Sequence, residues 1–325
     1  MAAVPQPGSA PVGVADLPEA PFPGPEDTAP AHVRALLHRR LRAMLEREPG
    51  ARAGSAEDLA RMRVAVRRMR AALRSARPLL DRAWADDLRS QLGRLGRALG
   101  AVRDLDVLIE HLQDDVATLP AAERAAGDRL LDGLLSEREA ARNTMLAELD
   151  SPAYAELGRR LVAAVGAALP EPSSDADRPE LLDLVRTEAR KITKAVRRAG
   201  ETPPDMTLHD LRIRAERLRY AAELVEPAMR DDDGARTPES RRVRQLQKSA
   251  ARLQDVLGDH QDACVAEHRI RVLLDALGQT PDAHEVFVGG RLVERERTRA
   301  EVLRLQWWDA WQDVAAHIAQ LDDRS

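Results

Sequence analysis

Residues 60–74 read ARMRVAVRRMRAALR and hold six arginines with no acid. Arg63, Arg67, Arg70 and Arg74 recur at i, i+4, i+7 and i+11, which is one face of an α-helix. Met62, Val66, Met69 and Leu73 form an apolar stripe one residue earlier, about 100° round the helix. Like charges at i,i+4 destabilise a helix by a few tenths of a kcal/mol per pair. Such a row beside a core stripe is poor design for stability alone, and an anion lying along it turns repulsion into attraction. Arginine suits that task because its planar fork grips phosphate oxygens two at a time and stays charged. Further cations recur at helical spacing: Arg190, Lys194 and Arg197, then Arg241, Arg244, Lys248 and Arg252. Residues 207–224, TLHDLRIRAERLRYAAEL, place His209, Arg212, Glu216 and Arg219 on one face, with Arg214 and Arg217 beside them.

The elements that must carry these groups are helices. Aromatics are 2% of the chain and charged residues 32%, so the core must be built from Leu, Ala and Val. Ala, Leu, Arg and Glu are all good helix formers. Helical periodicity starts near Ala31 and breaks at Pro49-Gly50. The arginine helix is expected from about Ala56 to Arg77. Further helices are expected at 83–98, 102–118, 121–148, 153–168, 179–199, 207–225, 238–257, 260–277, 281–302 and 305–321. Thr207 is a fair N-cap, with Asp210 three residues on.

The chain also repeats itself. Leu211, Arg212, Leu218 and Arg219 match Met62, Arg63, Met69 and Arg70 at an offset of 149. LGAVRDLDVL at 99–108 aligns with LGDHQDACVA at 257–266, in the same order. Two ordered matches predict an internal duplication, giving two helical bundles related by a pseudo-two-fold. The expected division is a Pro/Ala-rich acidic disordered tail at 1–30, a first half at 31–169, a linker at 170–178 and a second half at 179–321.

Net charge is −4, and Asp16, Glu19, Glu26 and Asp27 in the tail account for all of it. The rest is formally neutral but polarised, so a polyanion remains a fitting partner. The single Cys264 excludes an internal disulfide and fits a reducing cytoplasm. No apolar run is long enough to span a bilayer, and no signal peptide is expected.

At this level of detail the chain resembles the CHAD family, the conserved histidine α-helical domain. His209-Asp210-Leu211-Arg212 followed by Arg214, Arg217, Leu218, Arg219 and Tyr220 resembles its second signature helix. Met62-Arg63-Val64-Ala65 through Arg70 resembles the first. Leu99-Gly100 with Arg103–Val107, and Leu253–Gly258 ending at Asp262, resemble the segments that follow. The resemblance implies two bundles with a basic groove or pore between them. It also implies binding of inorganic polyphosphate and association with polyphosphate granules, and the basic stripes on separate helices point to a long chain, which alone bridges them together. Two departures stand out: Ala60 occupies the first-half position matching His209, and Glu216 stands where a lysine is usual.

The expected protein is therefore non-enzymatic, with no cofactor and no metal. The expected polyphosphate contacts are Arg63, Arg67, Arg70, Arg74, Arg190, Lys194, Arg197, His209, Arg212, Arg214, Arg217, Arg219 and Lys248. Two other functions compete. One is binding of RNA or another nucleic acid, against which scarce aromatics count. The other is a metal-dependent phosphohydrolase built on His209-Asp210. His260, Cys264 and His268 are spaced i, i+4, i+8, and the outer pair is about 12 Å apart along a helix, so the three cannot share one ion. Cys264 is expected as a small buried hydrophobe. Asp104 and Asp106 are expected to brace the stripe arginines, and Trp307, Trp308 and Trp311 to anchor the last helix. The paired ExExK pattern of tunnel triphosphatases is absent: Thr298 holds the lysine position after Glu294 and Glu296.

Overall fold

The computed structural model describes residues 12–172 and 179–322. These form nine α-helices and no strand: α1 Ala29–Ala53, α2 Ala56–Ser75, α3 Arg82–Ala117, α4 Ala121–Leu149, α5 Pro152–Gly166, α6 Leu181–Ala199, α7 Asp205–Val225, α8 Pro238–Ala276 and α9 Ala283–Asp322. The all-α expectation holds. Three pairs of expected helices are single long ones, α3, α8 and α9. Gly100 and Gly258 sit at two of the expected breaks, but a helix-interior glycine costs only about 1 kcal/mol against alanine. Burial of Leu99 and Val102 in α3, and of Leu253 and Leu257 in α8, outweighs it.

α1 also runs through Pro49, where a break was expected. It ends at Gly54, whose φ of 96° only glycine adopts without strain. Gly50 leaves room for the Asp58 side chain, whose Oδ2 lies 1.9 Å from where a Cβ would stand. Ser55 then caps α2, its Oγ accepting from the Asp58 amide at 3.2 Å. α7 starts at Asp205, so Thr207 is already inside the helix rather than its cap.

The chain packs as two compact units. The first draws on Met1–Arg103, Ala141–Glu188 and Tyr220–Arg244; the second on Asp104–Ala140, Ala189–Arg219 and Gln245–Ser325. These units do not follow the expected division into 31–169 and 179–321, because α3, α4, α6, α7 and α8 each supply residues to both. A 36-residue helix such as α3 is about 54 Å long, enough to serve two cores in succession.

In the first unit, Leu37, Leu41 and Met44 of α1 pack with Met62, Val66, Met69 and Leu73 of α2. Leu88, Leu92, Leu95 and Leu99 of α3 and Leu157 and Leu161 of α5 complete that core. The described part of the expected tail is a correction. Val12, Val14 and Leu17 lie against this core, and the Pro18 carbonyl pairs with His38 Nε2 at 2.9 Å. Three apolar side chains there outweigh the polar composition that suggested disorder. Residues 1–11 of the tail and 173–178 of the linker lie outside the described residues.

In the second unit, Leu108, Leu112 and Val116 of α3 meet Leu130 and Leu134 of α4, Ala266 and Ile270 of α8, and Val288 and Leu292 of α9.

Candidate functional site

In the first unit, α2 has the expected cross-section. Met62, Val66 and Met69 are fully buried, and Arg63, Arg67, Arg70 and Arg74 are half-buried beside them. The Arg67 guanidinium carbon lies 6.0 Å from the centre of the Tyr220 ring, at the outer reach of a cation–π contact. Arg70 lies over Gly93 and Gly96 of α3, where a Cβ would stand 3.5 Å from its terminal nitrogens. The interposed arginine is tied down: Arg68 pairs with Glu223 at 3.4 Å, and Arg40 of α1 reaches the same carboxylate at 2.6 Å. Sequence reading missed Glu223, because its partners lie on other helices.

In the second unit, Leu208, Leu211, Ala215 and Leu218 of α7 form a buried stripe. His209, Arg212 and Arg219 border it on one side, and Arg214 and Arg217 on the other. All five are half-buried. Arg190, Lys194, Arg197 and Lys248 are exposed. The turn before α7 is held by α9: Arg304 donates to the Pro203 carbonyl at 2.5 Å and to the Asp205 carboxylate. The Trp307 indole N–H donates to the Glu201 carbonyl at 3.1 Å. His209 Nδ1 sits 2.9 Å from the side-chain oxygen of Gln261 on α8. That oxygen only accepts, so Nδ1 carries the proton and Nε2 is left available.

Many arginines of the surface meet carboxylates: Arg77 with Asp86 at 2.7 Å, Arg94 with Glu148 at 2.7 Å, Arg269 with Glu137 at 2.5 Å, Arg297 with Glu267 at 2.7 Å. Among the described residues, no carboxylate lies within 4.0 Å of Lys194, Arg197, Arg212, Arg214, Arg217 or Lys248. The Nε atoms of Arg212 and Arg217 are buried and meet no acceptor. Asp262 of α8 is near enough to Arg212 to feel its charge; burial pushes its carboxyl up and Arg212 opposes this. Its side chain keeps an exposed edge, which limits that rise.

Asp106 braces no stripe arginine; it accepts from Arg138 Nε of α4 at 2.5 Å. Cys264 is half-buried rather than enclosed, with its sulfur 3.9 Å from His260 Nε2. His268 is exposed, and it is Asp205 that stands beside His260, at 3.2 Å. Trp307 and Trp311 are buried, as an anchoring role requires. Among the described residues the groups that could hold a metal are Asp205, His260 and Cys264, and separately His111, Asp115 and Glu296. Neither includes His209 or Asp210.

No helix among the described residues is long and apolar enough to cross a membrane. Similar solved structures include PptA from Streptomyces chartreusis, with a TM-score of 0.66 and 20% identity over 87% of this chain and 99% of that one. The CHAD domain of the plant Ricinus communis gives a TM-score of 0.65 and 24% identity over 96% and 97%. These likenesses show the fold. Two uncharacterised Mycobacterium tuberculosis proteins, MT2285 and Rv2226, are each 29% identical over 318 residues, covering 92% of this chain. This chain spans 58% of the length of those relatives. The CHAD domain profile matches residues 35–271, taking in both arginine-rich helices, and the chain belongs to the CHAD domain family.

Proposed function

We propose that the protein binds long-chain inorganic polyphosphate through its basic helix faces, without catalysing a reaction on it, and associates through it with polyphosphate granules. One observation carries the reading: Arg212, Arg214 and Arg217 of α7, Lys194 and Arg197 of α6 and Lys248 of α8 belong to one unit, and among the described residues none has a carboxylate within 4.0 Å. A surface that withholds counter-charges from several cations is built to receive an anion. Separate helices carry them, so only a long anion engages them together. The buried Nε of Arg212 and Arg217 leaves each guanidinium a donor still to be satisfied.

His209 fits beside these arginines. Gln261 holds its ring through Nδ1 and leaves Nε2 for a phosphate oxygen. Burial of Trp307 and Trp311 withdraws two of the chain's few aromatic rings from stacking with single-stranded nucleic acid. The test is equilibrium binding of the full chain to labelled long-chain polyphosphate, with orthophosphate as comparison and released phosphate assayed with Mg²⁺, Mn²⁺ and Zn²⁺. Tight binding of the long chain alone, with no phosphate released, supports the reading. Equal affinity for orthophosphate, or metal-dependent release lost in His209→Ala, overturns it.

A further inference from the structure

We propose that His111, Asp115 and Glu296 form a binding site for one divalent metal ion of the zinc class. All three belong to the second unit. His111 and Asp115 are one turn apart on α3, and Glu296 comes from α9, beyond the 35–271 family match. One ring nitrogen and two carboxylate oxygens lie within 4.8 Å of one another. His111 Nε2 is 2.6 Å from Glu296 Oε1 and 3.7 Å from Asp115 Oδ2.

The second observation is that these carboxylates are incompletely satisfied. Glu296 is 1% exposed and Asp115 7% exposed. Glu296 Oε2 and Asp115 Oδ2 are both buried and meet no hydrogen-bond donor. A carboxylate oxygen buried without a donor is costly. A proton, a cation or an ordered water can bridge two of them, and a cation alone also engages the adjoining imidazole nitrogen as a ligand.

The geometry suits the ion. Ligand atoms about 2.1 Å from a tetrahedral centre stand roughly 3.4 Å apart. The His111–Asp115 separation is already close to that, and the His111–Glu296 contact has to open by less than about 1 Å. One nitrogen and two oxygens make a borderline-to-hard donor set that matches zinc rather than a softer ion. Asp115 Oδ1 is ion-paired with Arg295 Nε at 3.1 Å, which leaves Oδ2 for the metal. Arg299 Nη1 lies 3.0 Å from His111 Nδ1 and 3.1 Å from Nε2, so ligation through Nε2 requires this exposed side chain to move away. A cavity of about 770 Å³, lined by Asp115, Arg291, Glu294, Arg295, Glu296 and Arg299, adjoins the ligands and gives the ion a way in. Polyphosphate binding is not needed for any of this.

The test is titration of Zn²⁺ into the chelator-treated full chain by calorimetry. The wild type takes up one tight equivalent at this site, and its melting temperature rises with Zn²⁺. His111→Ala and Glu296→Gln each weaken that uptake at least tenfold, while Cys264→Ser leaves it unchanged. Bound Co²⁺ shows d–d bands without a thiolate charge-transfer band. If Glu296→Gln does not fold, His111→Ala decides alone, since that side chain is 23% exposed. No stoichiometric uptake by the wild type overturns the proposal, leaving a shared proton between the carboxylates. So does uptake undiminished in His111→Ala, or loss of it in Cys264→Ser, which places the ion at Asp205, His260 and Cys264.

Discussion

Replacing Arg212 and Arg217 together by glutamine separates binding from folding. Among the described residues neither side chain has a carboxylate within 4.0 Å, so the double substitution breaks no ion pair there. Glutamine keeps much of the aliphatic stem that packs beside Leu211 and Leu218. The stability change should therefore stay within about 0.5 kcal/mol, the ordinary range for surface substitutions. Binding should respond differently. A hydrogen bond to a charged group is worth about 1.5–3 kcal/mol. Both arginines are half-exposed, so the lower end applies to each, for a total of about 3 kcal/mol. That is roughly a hundredfold loss of polyphosphate affinity. The control is Arg138→Gln, which strips a 2.5 Å pair from Asp106, whose side chain is only 7% exposed. It should cost at least about 1 kcal/mol of stability. Melting and polyphosphate binding are measured on all three proteins. Normal affinity in the double variant, or a melting shift as large as that of Arg138→Gln, refutes the reasoning.

Other perturbations follow from the same contacts. Affinity for polyphosphate should fall steeply with salt: if the six cations without a nearby carboxylate each meet one phosphate, the log–log slope is about −4, by analogy with single-stranded nucleic acid. A slope near zero contradicts this. Tyr154→Phe removes the hydroxyl that donates to the buried Glu48 carboxylate, which Arg52 also holds at 2.8 Å. Denaturant unfolding should show a loss of about 1.5–3 kcal/mol. Burial raises the Glu226 carboxyl, but hydrogen bonds from Arg230, Ser240 and Arg236 outweigh it and hold the group below its usual range. A depressed carboxylate contributes stability above the unfolded value, about 4.3, and loses it as pH falls through the folded value. Glu226→Gln should remove that part of the acid-side loss, seen as a flatter stability profile below pH of about 4.5.

The sequence showed more of the fold than of its boundaries. The apolar spacing of Met62, Val66, Met69 and Leu73 announces α2 because helical burial leaves a period in the chain. The gaps expected at 99–101 and 258–259 are absent, because the buried leucines on either side of Gly100 and Gly258 carry α3 and α8 through them. The two compact units were not legible, because nothing local records that α3 or α7 passes from one core to another. Within the candidate site, the arginines are visible by type and spacing. What the sequence hides is pairing. Glu223 is claimed by Arg40 and Arg68 from helices far along the chain, while among the described residues no carboxylate pairs with Arg212 or Arg217. Glu296 meets His111 across 185 residues, and no spacing rule reaches that far.

The most direct measurement of the central claim is competition. Labelled full-length protein is bound to long-chain polyphosphate near physiological salt and challenged with RNA of matched charge. RNA is predicted to displace polyphosphate only at large excess, because aromatic rings for base stacking are scarce, at 2% of the chain. Displacement by RNA at equal charge, or no saturable binding of polyphosphate at all, contradicts it.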